Sequence, residues 1–152
     1  MCRGVWNYAL AERKNWFNSR SCPMDRCSIR KEFIIAADVP RPTYASQCKA
    51  LTAAKSAFPH LKLVHSQVLQ QVLSQLEKAF VGMYDSGRGM PRFKKAGRMR
   101  SFLFPQLAQD AVQGNRLKLP NFGFIDMRLS RPIPEGFDLK QVRIVRKASG
   151  VR

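Results

Sequence analysis

Hydrolysis of a phosphodiester by metal ions gathers several carboxylates around one or two cations, yet the ten Asp and Glu of this 152-residue chain stand singly. Asp126, in Phe124-Ile125-Asp126-Met127, has the setting of a strand aspartate that could ligate a metal. Its neighbours, however, alternate like an ordinary half-exposed strand, and no second or third acid follows at a useful distance. Cys22 and Cys27 form the one tight cysteine pair, whereas a zinc site calls for two CxxC pairs or a pair followed by spaced histidines. His60 and His65 could be recruited on paper; the plainer reading leaves Cys2, Cys22, Cys27 and Cys48 as free thiols. There is no GxxxxGKS phosphate loop and no nucleophile elbow. The sequence therefore predicts no catalytic residue, no metal, no cofactor and no small-molecule substrate.

Phosphate binding is the chemistry that remains. Lys and Arg number 27 against 10 acids, a net charge of +17, too large and one-sided to serve solubility alone, so a polyanion is the natural partner. The charge concentrates in a ribbon from Arg88 to Arg100, where Arg88, Arg92, Lys94, Lys95, Arg98 and Arg100 occur with no acid among them. Glycines and Pro91 in the same stretch argue against a packed element. Downstream, Arg116 and Lys118 alternate with Leu117 and Leu119. These cations can neutralise nucleic-acid phosphates. Phe93, Phe102 and Phe104 could offer faces to bases, although core packing is the expectation for all three. Gln67, Gln70, Gln71 and Gln75 share one helix face; Gln can pair with adenine in the major groove, but such a face is more often simply solvated.

A membrane surface is the less favoured polyanion and no membrane partner is expected, since no apolar run approaches the ~20 residues that span a bilayer and the cations are not confined to one helix. Met1 to Leu10 lacks the charged head, apolar stretch and cleavage site of a secretion signal, so a reducing, cytoplasmic setting is expected.

The elements that must position these residues follow from periodicity. Val5, Trp6, Ala9, Leu10, Arg13, Trp16 and Phe17 predict an amphipathic helix over about 4–18, with Arg13 and Lys14 toward its end as partners of the helix dipole. Ser21 to Pro42, with three prolines around Phe33-Ile34-Ile35-Ala36-Ala37, reads as a loop holding a short strand or turn. Thr43 or Ser46 caps a helix through Ala57, which Pro59 stops. Val68, Leu69, Val72, Leu73, Leu76, Ala79, Phe80 and Met83 mark a longer helix from Ser66 that ends near Gly82 to Gly87. Beyond Gln106 the period becomes two: a hairpin around Gly114-Asn115, then strands within 122–129 and 142–145. The division is a helical part over 1–85, a basic ribbon over 86–106 and a β part over 107–152, an α+β chain.

Several of these stretches resemble the TnpB/OrfB family of transposon proteins. Val5-Trp6-Asn7-Tyr8-Ala9-Leu10 is similar to that family's VWN-x-AL helix, and Ser66-Gln67-Val68-Leu69-Gln70-Gln71 to its SQVLQQ opening. Pro91-Arg92-Phe93-Lys94-Lys95, Ser101-Phe102 to Pro105-Gln106, and Arg116-Leu117-Lys118-Leu119-Pro120-Asn121-Phe122-Gly123 resemble later signatures in the same order. Arg131-Pro132 and Pro134-Glu135-Gly136 continue the likeness.

The resemblance implies an RNA-guided DNA endonuclease or transposase carried by bacterial insertion sequences and related to type V CRISPR effectors. Such a protein has a helical recognition insert beside a wedge-like antiparallel β-barrel, followed by a RuvC-like magnesium nuclease and a zinc ribbon. Here the chain opens four residues before Val5 and stops at Val151-Arg152, so the expectation is an N-terminal fragment with an incomplete barrel, an open sheet edge and no catalysis. Its partners would be guide RNA and target DNA, its place the bacterial nucleoid. Arg92, Lys94, Lys95, Arg116 and Lys118 would face guide RNA or duplex backbone, and Tyr44, Gln70 and Gln106 would approach the target-adjacent motif. Two alternatives stand beside this: one part of a split nuclease completed by a separately encoded half, and a stand-alone helix-turn-helix repressor reading DNA with the Gln67 to Gln75 face.

Overall fold

A computed structural model describes residues 1–21, 35–108, 111–134, 136–137 and 139–146. The architecture is α+β, with three α-helices and two small antiparallel sheets among the described residues. Helix α1 (Cys2–Ser21) buries Trp6, Ala9, Leu10 and Arg13, the i, i+3, i+4, i+7 spacing of one helix face. It extends beyond the expected 4–18 at both ends. Arg13 therefore sits in the helix interior on the buried face, and its partners are side chains rather than the helix dipole. After α1, Trp16 Nε1 donates to the Val39 carbonyl and the Arg20 guanidinium to those of Ala36, Ala37 and Val39, which ties residues 36–39 to the helix end. Residues 35–43 carry a turn and no strand; the Cys22–Cys27 pair and the start of the expected 33–37 run lie outside the described residues.

Helix α2 (Tyr44–Ala57) begins with a reciprocal capping box, Thr43 and Ser46 each accepting from the other's backbone N–H. Pro59 converts the chain into a short 3-10 turn, Pro59–Leu63. Helix α3 (Ser66–Ser86) ends at Gly87, whose left-handed φ of 62° a side chain would resist.

Helix α3 is the wall between two cores. Leu69, Val72, Leu73, Leu76 and Phe80 pack with Trp6, Ala9 and Leu10 of α1 and Leu51 of α2. Val68, one residue from Leu69, points instead into the β half, where it meets Phe104, Ala111, Leu117 and Leu119. Strand β1 (Ser101–Phe104) pairs with β5 (Val142–Val145), and β2 (Val112–Gln113), β3 (Arg116–Leu119) and β4 (Gly123–Asp126) form a meander. Among the described residues these sheets stay separate and no barrel closes. The β3–β4 turn has Pro120 and Asn121 at its centre, with Asn121 at φ 67° and Phe122 N–H bonded to the Leu119 carbonyl at 3.2 Å, the requirements of a type II turn.

One polar network crosses the helical core. Arg13 Nε donates to Gln47 Oε1 at 3.0 Å, and Nη1 meets Glu77 Oε2 at 2.6 Å. Gln47 Nε2 donates to the Ala9 carbonyl and to Glu12 Oε2. The guanidinium lies 5.0 Å above the Phe80 ring and is 1% exposed. One arginine thus locks α1, α2 and α3 in register, with part of the burial cost offset by charge-assisted bonds.

Candidate nucleic-acid interface

The basic ribbon leaves α3 at Gly87, with the N–H groups of Gly87 and Arg88 both closing on the Gly82 carbonyl. It adopts no regular structure, so its backbone polar groups need other partners. Helix α1 supplies them. Trp6 Nε1 donates to the Arg92 carbonyl at 3.1 Å, and the Asn7 amide engages both backbone groups of Lys94: Nδ2 donates to its carbonyl at 3.1 Å, and its N–H donates to Oδ1 at 2.8 Å. Asn7 imitates a neighbouring strand for one residue. Pro91 is buried beside this joint. The Trp6-Asn7 and Arg92-Phe93-Lys94 stretches, more than eighty residues apart, therefore form one structural unit.

The joint divides the ribbon's side chains. Arg92, Lys95 and Arg98 are exposed, whereas Lys94 is half-buried with its ammonium 4.7 Å from the Trp6 ring centroid. Phe93 turns outward, half exposed, with Lys14 Nζ 4.9 Å from its centroid. The expectation that all three phenylalanines pack inward fails here: backbone pinning at Arg92 and Lys94 directs the intervening side chain away from α1. Phe102 and Phe104 do join the β core. The Arg88 side chain lies back along α3, its Cδ where a Cβ on Gly82 would be met at 3.3 Å. Gly97, at φ 74°, makes a turn closed by Arg98 N–H on the Lys95 carbonyl and by Arg100 Nε on its own carbonyl.

On the β half, Arg143 stands on the outer face of β1–β5 opposite Leu103, and Arg146 N–H donates to the Arg100 carbonyl at 2.7 Å, so Arg100 and Arg146 adjoin. Periodicity marked a strand at 142–145 without indicating that it returns to the ribbon's end. Arg116 and Lys118 project from the outer face of β3, each opposed on β4: Arg116 by Asp126, with Nε 3.1 Å from Oδ1, and Lys118 by Phe124. Asp126 is exposed and engaged with Arg116. Among the described residues no group of three or more His, Cys, Asp or Glu could hold a metal ion, and no helix is long and apolar enough to cross a membrane.

Tyr44, Gln70 and Gln106 do not converge. Gln106 Oε1 accepts from Gln67 Nε2 at 3.3 Å, one turn from the exposed Gln70, at the start of α3. Helix α2 runs antiparallel to α3, because Lys55 Nζ reaches Ser66 Oγ while Gln47 meets Arg13 beside Glu77. Tyr44 thus lies at the Glu77 end, about 15 Å away along α3 at the rise of an α-helix. The Cys48 side chain beside it and slight burial hold its hydroxyl above the usual phenol range. The α2–turn–α3 unit offers little as a groove reader: α3 is covered by α1 and α2 on one side and by β1 on another.

Trp6, Asn7 and Lys14 have no counterpart among the residues singled out for binding. Asn7, a weak helix former beside the apolar stripe, was the available signal.

Over 73 residues, 48% of this chain, the sequence is 37% identical to a protein of Escherichia coli with the name "Putative RNA-guided DNA endonuclease InsQ". The matched stretch spans 18% of that protein's length. No family model matches the chain.

Proposed function

We propose that this chain is a nucleic-acid-binding part of a TnpB/OrfB-type RNA-guided DNA endonuclease, holding guide RNA and target-adjacent DNA by their phosphates without cleaving either by itself. The observation that carries this reading is the basic ribbon fixed on α1: Arg92, Lys95 and Arg98 are exposed on a backbone pinned at Arg92 and Lys94. Preorganised cations lose less conformational freedom on binding than cations on a free loop. The net charge of +17 and the 37% identity over 73 residues to a protein with the name "Putative RNA-guided DNA endonuclease InsQ" point the same way.

In this reading Arg92, Lys95, Arg98 and Arg100 contact backbone directly, and Lys94 and Arg88 act with part of their side chains laid on protein. Arg143 and Arg146 extend the basic track from the ribbon onto β5. Arg116 and Lys118 form a second patch. Gln70, one turn after the Gln67 that bonds Gln106, and Gln106 would approach the target-adjacent motif from the start of α3, and Tyr44 would contact a different part of the ligand. Sequence reading would fall to base pairing by the guide, with the protein recognising backbone shape.

Thermal unfolding followed by circular dichroism at about 150 mM salt tests this, since a ligand that binds the folded chain raises its midpoint. RNA transcribed from the end of the chain's own element raises the midpoint and scrambled RNA of equal length does not. Equal shifts with both reduce the reading to nonspecific charge, and no shift with either ends it.

A further inference from the structure

The outer face of the β3–β4 hairpin holds aromatic surface that stays exposed among the described residues. Directly opposed residues in an antiparallel pair share a face, so the Arg116↔Asp126 and Lys118↔Phe124 pairs lie on one side and Leu117 and Leu119 on the other. The two leucines are buried in the β core. Phe124 is 49% exposed, and Phe122, at the turn, is 61% exposed. The Lys118 ammonium stands over the Phe124 ring at 5.7 Å from its centroid, within reach of a phosphate beside a base stacked there, and Arg116 precedes Lys118 by two residues on the same face. Among the described residues the acid on this face is Asp126, which is held by Arg116.

An open aromatic face flanked by cations matches the needs of an unpaired nucleotide strand. Its bases expose π-faces that a duplex hides in its own stack, and its phosphates lie alongside. A duplex would find only the two cations. A protein covering the same face would bury Arg116 and Lys118 against a chain of net charge +17, which favours a polyanion as occupant. We propose that this face binds single-stranded nucleic acid, with a base stacked on Phe124 and adjacent phosphates on Lys118 and Arg116. The proposal rests on the nucleic-acid reading above and adds to it a strand type and a site.

The test compares Phe124→Leu with the unaltered chain, using a short fluorescent oligothymidylate and a duplex hairpin of equal charge, read by anisotropy at about 150 mM salt. Leucine keeps apolar bulk at a water-facing position and removes the π-face, so the circular dichroism spectrum stays that of the parent. Affinity for the single strand falls about 5- to 150-fold, the range for loss of one base–aromatic stack, and affinity for the duplex changes by less than about twofold. Phe124→Trp restores single-strand binding. Unchanged single-strand affinity in Phe124→Leu, or an equal loss for strand and duplex, overturns the proposal while nucleic-acid binding stands. If the parent chain binds neither probe, the nucleic-acid reading itself falls and takes this site with it.

Discussion

Replacing Asn7 by Ala removes both hydrogen bonds that hold Lys94 on α1, at 3.1 and 2.8 Å. Each such bond contributes about 0.5–1.5 kcal/mol net, so the docked ribbon should lose about 1–3 kcal/mol relative to its opened form. The lower part of that range applies, because Trp6 still holds the Arg92 carbonyl and the freed groups of Lys94 can reach water. At ~1.4 kcal/mol per factor of ten, the opened population rises about tenfold. Limited trypsin digestion reads this population directly when opening and closing are faster than cleavage. Cuts after Arg92, Lys94 and Lys95 accelerate about tenfold in Asn7→Ala, while a cut after the exposed Lys62, in the 3-10 turn, keeps its rate. The helical signal is unchanged, since Asn7 makes no contact within the core. Equal ribbon cleavage in both proteins would mean that α1 does not hold the ribbon, and the preorganisation on which the binding reading depends would go with it.

The Arg13 network gives an asymmetric expectation in urea unfolding. Glu77→Ala leaves a guanidinium 1% exposed without its counter-charge and costs about 3 kcal/mol, whereas Arg13→Met leaves a carboxylate 39% exposed to water and costs about 1 kcal/mol; the reverse order would refute the network as described. Asp126→Asn releases Arg116 and removes one negative charge, so nucleic-acid affinity should rise and its salt slope steepen by up to about 0.9; a loss of affinity would oppose this. Burial raises the Cys2 thiol pKa, so its alkylation in the folded chain should be slower than in urea at the same pH. By linkage, the stability tied to its neutral form is complete below the ordinary thiol range near ~8.5 and is lost as pH rises through the higher folded value. Alkylation equally fast in both states would show that the thiol is not protected.

The helices were largely legible from the sequence because a 3.6-residue apolar stripe leaves few alternatives. Val68, Leu69, Val72, Leu73, Leu76 and Phe80 all prove buried on α3, and the Thr43–Ser46 cap and the Gly87 stop are local chemistry. The hairpin at Gly114-Asn115 was legible for the same reason. Three features were not. Arg13 falls on the apolar stripe, and only tertiary structure brings Gln47 and Glu77 to it. The β1–β5 pairing joins strands about forty residues apart, which period-two alternation cannot specify. The ribbon's docking on Trp6 and Asn7 engages the ribbon's backbone groups, which leave no trace in the ribbon's residue types, so that Asn7 on α1 is the trace the sequence offers. Residue type singles out the basic residues as a set, but their unequal exposure, with Lys94 folded onto Trp6, depends on that docking.

The salt dependence of RNA binding reaches the binding reading most directly. The logarithm of the binding constant against the logarithm of salt concentration, between about 50 and 200 mM, counts the phosphates neutralised. Joint replacement of Arg92, Lys95 and Arg98 by Gln, at positions exposed on the pinned ribbon, should reduce the slope by about 2–3 at 0.7–0.9 per contact. A slope unchanged by losing all three would mean that the ribbon does not hold the nucleic-acid backbone.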